Sequence, residues 1–341
     1  VLNGTDYAVL VSDAAGAYTD PALTRACRTY LMIRSGDRAY FVLADDLASD
    51  GEHSYAWNLN AGGMTGAKCY NDGGFDSLKG NGTRLSGSEF FAIGSKHALR
   101  IAFDRELKFS YTSCGTGGVI SASDGTDAKT GSFCAVISAM DGKSVSSATL
   151  EQGVRVTESF GGDGQTGIRT AHGELSDLIL ISRGGKTLSG GGLCAVGGTA
   201  SLLGLRSNGT WSGYAATDAT ELSYQGRMLM QADRAVSLSV NFDGKGGVLT
   251  GDAGTVVRLY APGGVNGIEP DADGYCTVTL TSGKTALSTG AVPSDTETDA
   301  ETAADPVQKP EKGCRSAVGF SLLLPAVLLA AIPFVRRRKE N

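Results

Sequence analysis

Histidine is nearly absent from this chain: three occur in 341 residues, at 53, 97 and 172. So thin a supply leaves little for an imidazole metal site, which ordinarily draws three or four protein ligands. Proline is scarce as well, at 8, and no long amphipathic pattern of helical period precedes the C-terminal segment, which excludes a helical bundle. The seven cysteines, at 27, 69, 114, 134, 194, 276 and 314, form no Cys-x-x-Cys pair and match no zinc spacing. Their odd number and their place within apolar runs point to unpaired thiols acting as small hydrophobes, with one or two disulfides left open by an extracellular setting. Positive charge is also short. The formal charge is −6, and Arg336, Arg337, Arg338 and Lys339 set against Glu340 leave 26 basic and 35 acidic residues upstream, a charge of −9. That balance argues against nucleic-acid binding, which needs a concentrated basic footprint, and against bulk electrostatic steering of an acidic polymer, while leaving room for a local basic pocket.

Glycine, by contrast, is plentiful: 49 residues, about twice the usual share. It separates many short apolar runs, as in an all-β protein with many turns. The most informative stretch is residues 24–60. In its first run Thr29, Leu31 and Ile33 share one face, and Arg28, Tyr30, Met32 and Arg34 the other. Ser35-Gly36-Asp37 supplies turn chemistry, and residues 40–44 are apolar on both faces, as a central strand requires. Asp45 and Asp46 are expected to end that strand, with a loop at 49–51. A third run then puts His53, Tyr55, Trp57 and Leu59 on one face, and Ser54, Ala56, Asn58 and Asn60 on the other. The expectation is a three-strand meander.

Residues 61–87 and 115–132 read as Gly-rich connections. Strand-like runs follow at 98–103, 134–137, 154–156, 178–181, 194–196, 202–205, 211–214, 221–224, 235–242, 256–260 and 275–280. More than a dozen short strands without intervening helices predict a large antiparallel β-sandwich of supersandwich type over residues 1–290.

After that the character changes. Residues 293–312 carry no aromatic and are rich in Thr, Asp and Glu, as in a disordered acidic stalk. Residues 317–335 carry no charge, and as a helix they would cover about 28 Å, close to the hydrocarbon thickness of a bilayer. The basic cluster that follows, within the tail 336–341, orients that tail to the cytoplasm and the sandwich to the extracellular face. The segment looks like the C-terminal anchors of Gram-positive surface proteins, although no Leu-Pro-x-Thr-Gly site precedes it. Since the chain begins at Val1 with no signal peptide, an exported precursor with further sequence upstream is expected.

Three pieces of the meander carry a family resemblance: the Arg-led run 25–34, the run 39–46 ending in Asp, and the His-x-Tyr-x-Trp run 53–59. They resemble the C-terminal β-sandwich of the heparinase II/III-like polysaccharide lyases, with weaker likeness at Asp177, at 221–226 and at 236–242. The resemblance implies β-elimination from uronic-acid-containing glycans, with His53 and Tyr55 as catalytic candidates. Arg28, Tyr30, Trp57 and Asn60 would contact an acidic, glycosaminoglycan-like polysaccharide. In that family an α/α toroid precedes the sandwich and carries the principal catalytic Tyr, so this chain alone is not expected to catalyse anything. Relatives also hold a zinc ion with two His and an Asp; here Asp46 or Asp45 and His53 supply only part of such a set, so no cofactor is expected.

Each candidate has a second reading from its residues alone. The His53, Tyr55 and Trp57 face suits an aromatic ladder in a core as well as a sugar platform. Asp45-Asp46 suits a strand-end turn as well as a ligand pair. The function alternative is a non-catalytic carbohydrate-binding or adhesion module that keeps the sandwich without the chemistry.

Overall fold

The computed structural model describes residues 2–4, 6–17, 22–34, 39–71, 73–78, 84–114, 117–162, 164–183, 187–242, 246–290 and 334–336. Nearly all of them lie in two eleven-stranded sheets, and every strand pairing is antiparallel. The first half of the chain builds sheet one. Its strands are β1 (Leu2–Asn3), β2 (Tyr7–Asp13), β3 (Leu23–Ile33), β4 (Tyr40–Gly62), β5 (Met64–Asn71), β6 (Gly74–Ser77), β7 (Arg84–Gly94), β8 (Ala98–Cys114), β9 (Gly117–Ser123) and β10 (Asp127–Met140). Their order is β1-β2-β3-β4-β10-β8-β7-β5-β6, with β9 between β4 and β8.

Sheet two takes the second half. It holds β11 (Arg155–Ser159), β12 (Gln165–His172), β13 (Leu175–Ser182), β14 (Thr187–Gly190), β15 (Leu193–Arg206), β16 (Trp211–Tyr224), β17 (Arg227–Asn241), β18 (Gly246–Thr250), β19 (Val256–Tyr260), β20 (Tyr275–Thr279) and β21 (Lys284–Leu287). A further short strand, β22 (Phe334–Arg336), pairs with residues 54–56 of β4. The expected large antiparallel β fold is what forms. Among the described residues no helix is long and apolar enough to cross a membrane. The stalk 293–312 and all but the last two residues of the span 317–335 lie outside the described residues.

Each sheet folds back on itself and encloses a core of its own. In β16 the register with its neighbours shifts around Ala216, Ala219 and Glu221, and Asp218 takes a left-handed φ of 57°. A straight strand of this length would separate its end residues by about 43 Å. Instead the rings of Trp211 and Tyr224 stand 6.1 Å apart. The strand bends double at its irregularities, as bulges permit. In sheet one the corresponding break lies in β8, where residues 104–107 stand against residues 124–134 of the neighbouring line formed by β9 and β10. The core so enclosed gathers Leu43, Leu47, Trp57, Phe90, Phe103, Phe109 and Phe133.

The two sheets meet back to back along a third cluster. Leu31, Ile33, Val42 and Val136 of sheet one pack there on Ile168, Ile179, Leu202 and Val248 of sheet two. Residues 40–44 are thus apolar on both faces for a reason. Val42 faces the seam between sheets, and Leu43 faces the core of sheet one.

Four expectations are corrected. The turn at Asp45-Asp46 and the loop at 49–51 do not form, since β4 runs unbroken from Tyr40 to Gly62. The two carboxylates, which read as strand breakers, are instead matched by arginines on β3. Residues 61–87 are mostly strand, in β5, β6 and the start of β7, and residues 115–132 hold β9 and the start of β10. Runs predicted as separate strands, such as 211–214 and 221–224, are halves of single bent ones. Much of the glycine that suggested turns serves another purpose. A Cβ on Gly131 of β10 would lie 2.7 Å from the Tyr55 ring, so the strand leaves room for the aromatic side chain crossing it.

Candidate functional site

The alternation predicted for β4 is observed, and it points inward. Trp57 is fully buried, with its ring 5.3 Å from Phe103 at 88° and 6.3 Å from Phe90. Its ring is covered by these neighbours in the core. Its indole N–H finds no acceptor among the described residues. Tyr55 is 2% exposed; its hydroxyl lies 2.6 Å from Ser49 Oγ and donates to the Lys129 carbonyl at 3.1 Å. The phenol is thus held by two partners at the edge of the core. His53 lies beside it at the margin of the core, its ring centroid 6.4 Å from that of Tyr55.

The polar candidates separate. Asn60 is exposed and Tyr30 half-buried, with the Arg28 guanidinium 5.9 Å from the Tyr30 ring centroid. Arg28 is buried and grips Asp45 through both oxygens, which leaves it unable to meet an outside carboxylate. Asp46 takes Arg25 at 2.7 Å. Both acidic residues proposed as zinc ligands therefore already serve guanidinium partners. Among the described residues no three His, Cys, Asp or Glu side chains converge. The residues present do not fit the family's metal. Five thiols, at 27, 69, 134, 194 and 276, are free, and burial pushes Cys69 up to about 12.

Beside these residues lies a cleft of about 240 Å³ between the two sheets. Arg25 and Asp46 line it from β3 and β4, Thr130, Gly131 and Ser132 from β10, and Gly164 and Arg183 from the β12–β13 end of sheet two. Its volume falls below the roughly 300–1,000 Å³ of drug-sized sites, so it suits one charged unit of a longer ligand. Arg183 is fixed by two bonds from Nη2, to the Gly162 carbonyl at 2.9 Å and the Gln165 carbonyl at 2.8 Å. Its buried Nε has no partner among the described residues. Arg105 donates to the Ser132 carbonyl and reaches Asp104 at 3.3 Å. Among the residues lining the cleft, two guanidinium groups (Arg25, Arg183) thus face one carboxylate (Asp46). Burial pushes the Asp104 carboxyl up, and Arg105 and Arg183 offset part of that rise. The surplus is positive in a chain whose net charge is −6.

A second polar constellation lies sealed in the seam. Tyr40 donates to Asp177 Oδ2 at 2.5 Å, and its hydroxyl lies 2.9 Å from Thr170 Oγ1. His172 Nε2 meets the same Asp177 oxygen at 2.9 Å. A tyrosine, a histidine and an aspartate in contact would serve acid–base chemistry if substrate could reach them. Tyr40 and Asp177 show no exposed surface, and His172 is 5% exposed. Burial, followed by the charge of Asp177, pushes the Tyr40 phenol well above its usual value. The group is a tie between sheets. Sequence reasoning missed it because Tyr40 lies 130 residues or more from its partners.

No protein-family model matches the sequence, and no curated protein matches it.

Proposed function

We propose that this chain is the glycan-binding part of a cell-surface protein and is non-catalytic on its own. In this reading the cleft between Arg25 and Arg183 takes a carboxylate or sulfate group of an acidic, glycosaminoglycan-like polysaccharide. The observation that carries it is the surplus of guanidinium over carboxylate at that cleft, in a chain otherwise acidic. A planar guanidinium suits recognition of such groups. Burial of Tyr55 and Trp57 favours binding over chemistry, since neither side chain meets solvent.

Residues 317–335 span the membrane in this reading, which requires residues 334–336 to leave their pairing with β4, with 336–341 in the cytoplasm, 293–312 as stalk and the sandwich on the extracellular face. Deleting residues 313–341 is expected to release the protein from the membrane fraction; retention there would remove this part of the proposal.

The polysaccharide lyase is the second reading. In its favour, the cleft begins on the same two strands, β3 and β4, that carry the heparinase II/III-like resemblance. Catalysis would then need the upstream toroid.

The test uses the full chain in detergent against immobilised heparan sulfate, hyaluronan and alginate. Binding to at least one, weakened about tenfold or more by Arg183→Gln or Arg25→Gln, is the expected result. Binding to none, or binding indifferent to both substitutions, overturns the proposal. Formation of unsaturated uronate by a longer precursor would move the balance to the lyase.

A further inference from the structure

Six cationic side chains stack over aromatic rings among the described residues, five of them arginines. Four of those arginines are also held by a carboxylate: Arg28 by Asp45, Arg100 by Glu89, Arg105 by Asp104 and Arg258 by Asp271. Arg227 is the exception. It stacks at 4.4 Å from the Tyr260 centroid and 5.6 Å from the Trp211 centroid, with no carboxylate partner among the described residues.

The fold brings this group together from distant parts of the chain. Tyr224 and Arg227 face each other across the β16–β17 turn, and Tyr260 pairs with Tyr275 across β19 and β20. The bend in β16 delivers Trp211, whose ring meets Tyr224 at 85° and Tyr260 at 72°. Tyr260 is buried and forms the floor, while Trp211, Tyr224 and Arg227 are half-exposed. A guanidinium carries several N–H donors around the edge of its plane, so contact with a ring leaves donors over for an anion. The result is a fork of donors fixed between half-exposed aromatic surfaces.

We propose that Arg227, Trp211 and Tyr224 form a second anion-binding subsite, on sheet two, for an acidic sugar unit. The guanidinium takes the carboxylate or sulfate, Trp211 covers the C–H face of the pyranose ring, and Tyr224, at 85° to it, borders the ring's edge. A lone arginine among aromatic rings suits one charge per ring. It does not suit the dense charge of a nucleic acid, which the chain's acidity also disfavours. The choice of a sugar acid rests on the glycan-binding reading above; the site itself rests on the unpaired arginine and its rings.

The experiment titrates the full chain in detergent with hyaluronan and alginate tetrasaccharides and follows tryptophan fluorescence. The chain has two tryptophans. Trp57 is fully buried, so a change on binding reports Trp211. A saturable change is expected, weakened about tenfold by Arg227→Gln and partly restored by Arg227→Lys, and untouched by Arg183→Gln. A neutral glucose tetrasaccharide is expected to give none. Arg227→Gln binding both probes as wild type does, or no saturable change with either acidic probe, overturns the proposal. If Arg183→Gln weakens immobilised-glycan binding while the Trp211 signal stays flat, the cleft survives and this subsite falls. A saturable Trp211 signal, with immobilised-glycan binding indifferent to Arg183 and Arg25, keeps this subsite and removes the cleft. Arg227 is half-exposed and holds no ion pair among the described residues, so its variants lose only the contact with its rings and should melt slightly below wild type while staying folded, which a melting curve checks.

Discussion

Arg28 and Asp45 stand directly opposite each other on β3 and β4, joined by hydrogen bonds of 2.5 and 2.6 Å and almost wholly buried. Removing one partner strands the other charge in a low-dielectric interior, at a cost of about 3–5 kcal/mol. Arg28→Ala is therefore expected to lower the urea midpoint sharply. The paired replacement Arg28→Met with Asp45→Leu should recover most of the loss, since well-packed apolar side chains replace buried ion pairs with little penalty. A single variant as stable as wild type would show that the pair is not buried in solution.

Asp104, whose carboxyl feels the charge of Arg183 in the cleft, is expected to make the proposed anion binding depend on pH. Its carboxyl titrates above the ordinary value because of burial, so it loses its charge early on acidification. Its contribution to stability is present below the unfolded value of 3.8 and is lost as pH rises through the folded one. Neutral Asp104 leaves the cleft more positive. Affinity for hyaluronan should therefore rise on acidification from neutral pH through that raised value, by roughly fivefold or less given solvent screening. Asp104→Asn should bind tightly both above and below that value. An identical pH slope in that variant would assign the effect to another group.

Trp57 separates core from site. Trp57→Ala is expected to cost about 3–5 kcal/mol, the range for large aromatic deletions in cores. Trp57→Phe should cost less, because it also removes an indole N–H that has no acceptor among the described residues. Neither change should alter glycan affinity in whatever protein remains folded. An affinity loss in Trp57→Phe with an unchanged melting temperature would restore the sugar-platform role.

The seam gives a test of its own. Tyr40→Phe takes away the hydroxyl that bridges sheet one to Asp177 of sheet two. Asp177 Oδ1 already lacks a partner among the described residues, so the loss falls on a carboxylate that is poorly served. About 1–3 kcal/mol of destabilisation is expected in chemical denaturation. A neutral result would mean that water replaces the phenol.

Much of the local pattern was legible in the residues. The strict alternation at 53, 55, 57 and 59 marks one buried face, and 236, 238, 240 and 242 mark another. Less legible was what punctuation means. Gly197 and Gly198 look like a turn, yet with left-handed φ values of 74° and 92° they make a bulge inside β15. Asp45 reads as a strand end until Arg28 is placed opposite it, and Ser237, Ser239 and Asn241 form a polar face that is nonetheless buried. In each case the deciding partner lies on another strand. The Arg227 group is the extreme case. Trp211, Arg227 and Tyr260 share no local motif, and only a strand bent double makes them neighbours.

Apart from β22, sheet one is complete at Met140 and sheet two begins at Arg155. On a ribosome the two therefore emerge in sequence. The back of sheet one, with Leu31, Ile33, Val42 and Val136, waits for the arrival of Val248 before the seam can be fully covered. At about 5–20 residues per second that wait lasts roughly 5–20 s. For that interval a finished sheet carries an oily back. The second half of the chain thus acts as an intramolecular chaperone for the first, and nascent chains stalled between residues 141 and 248 should be the ones that aggregate.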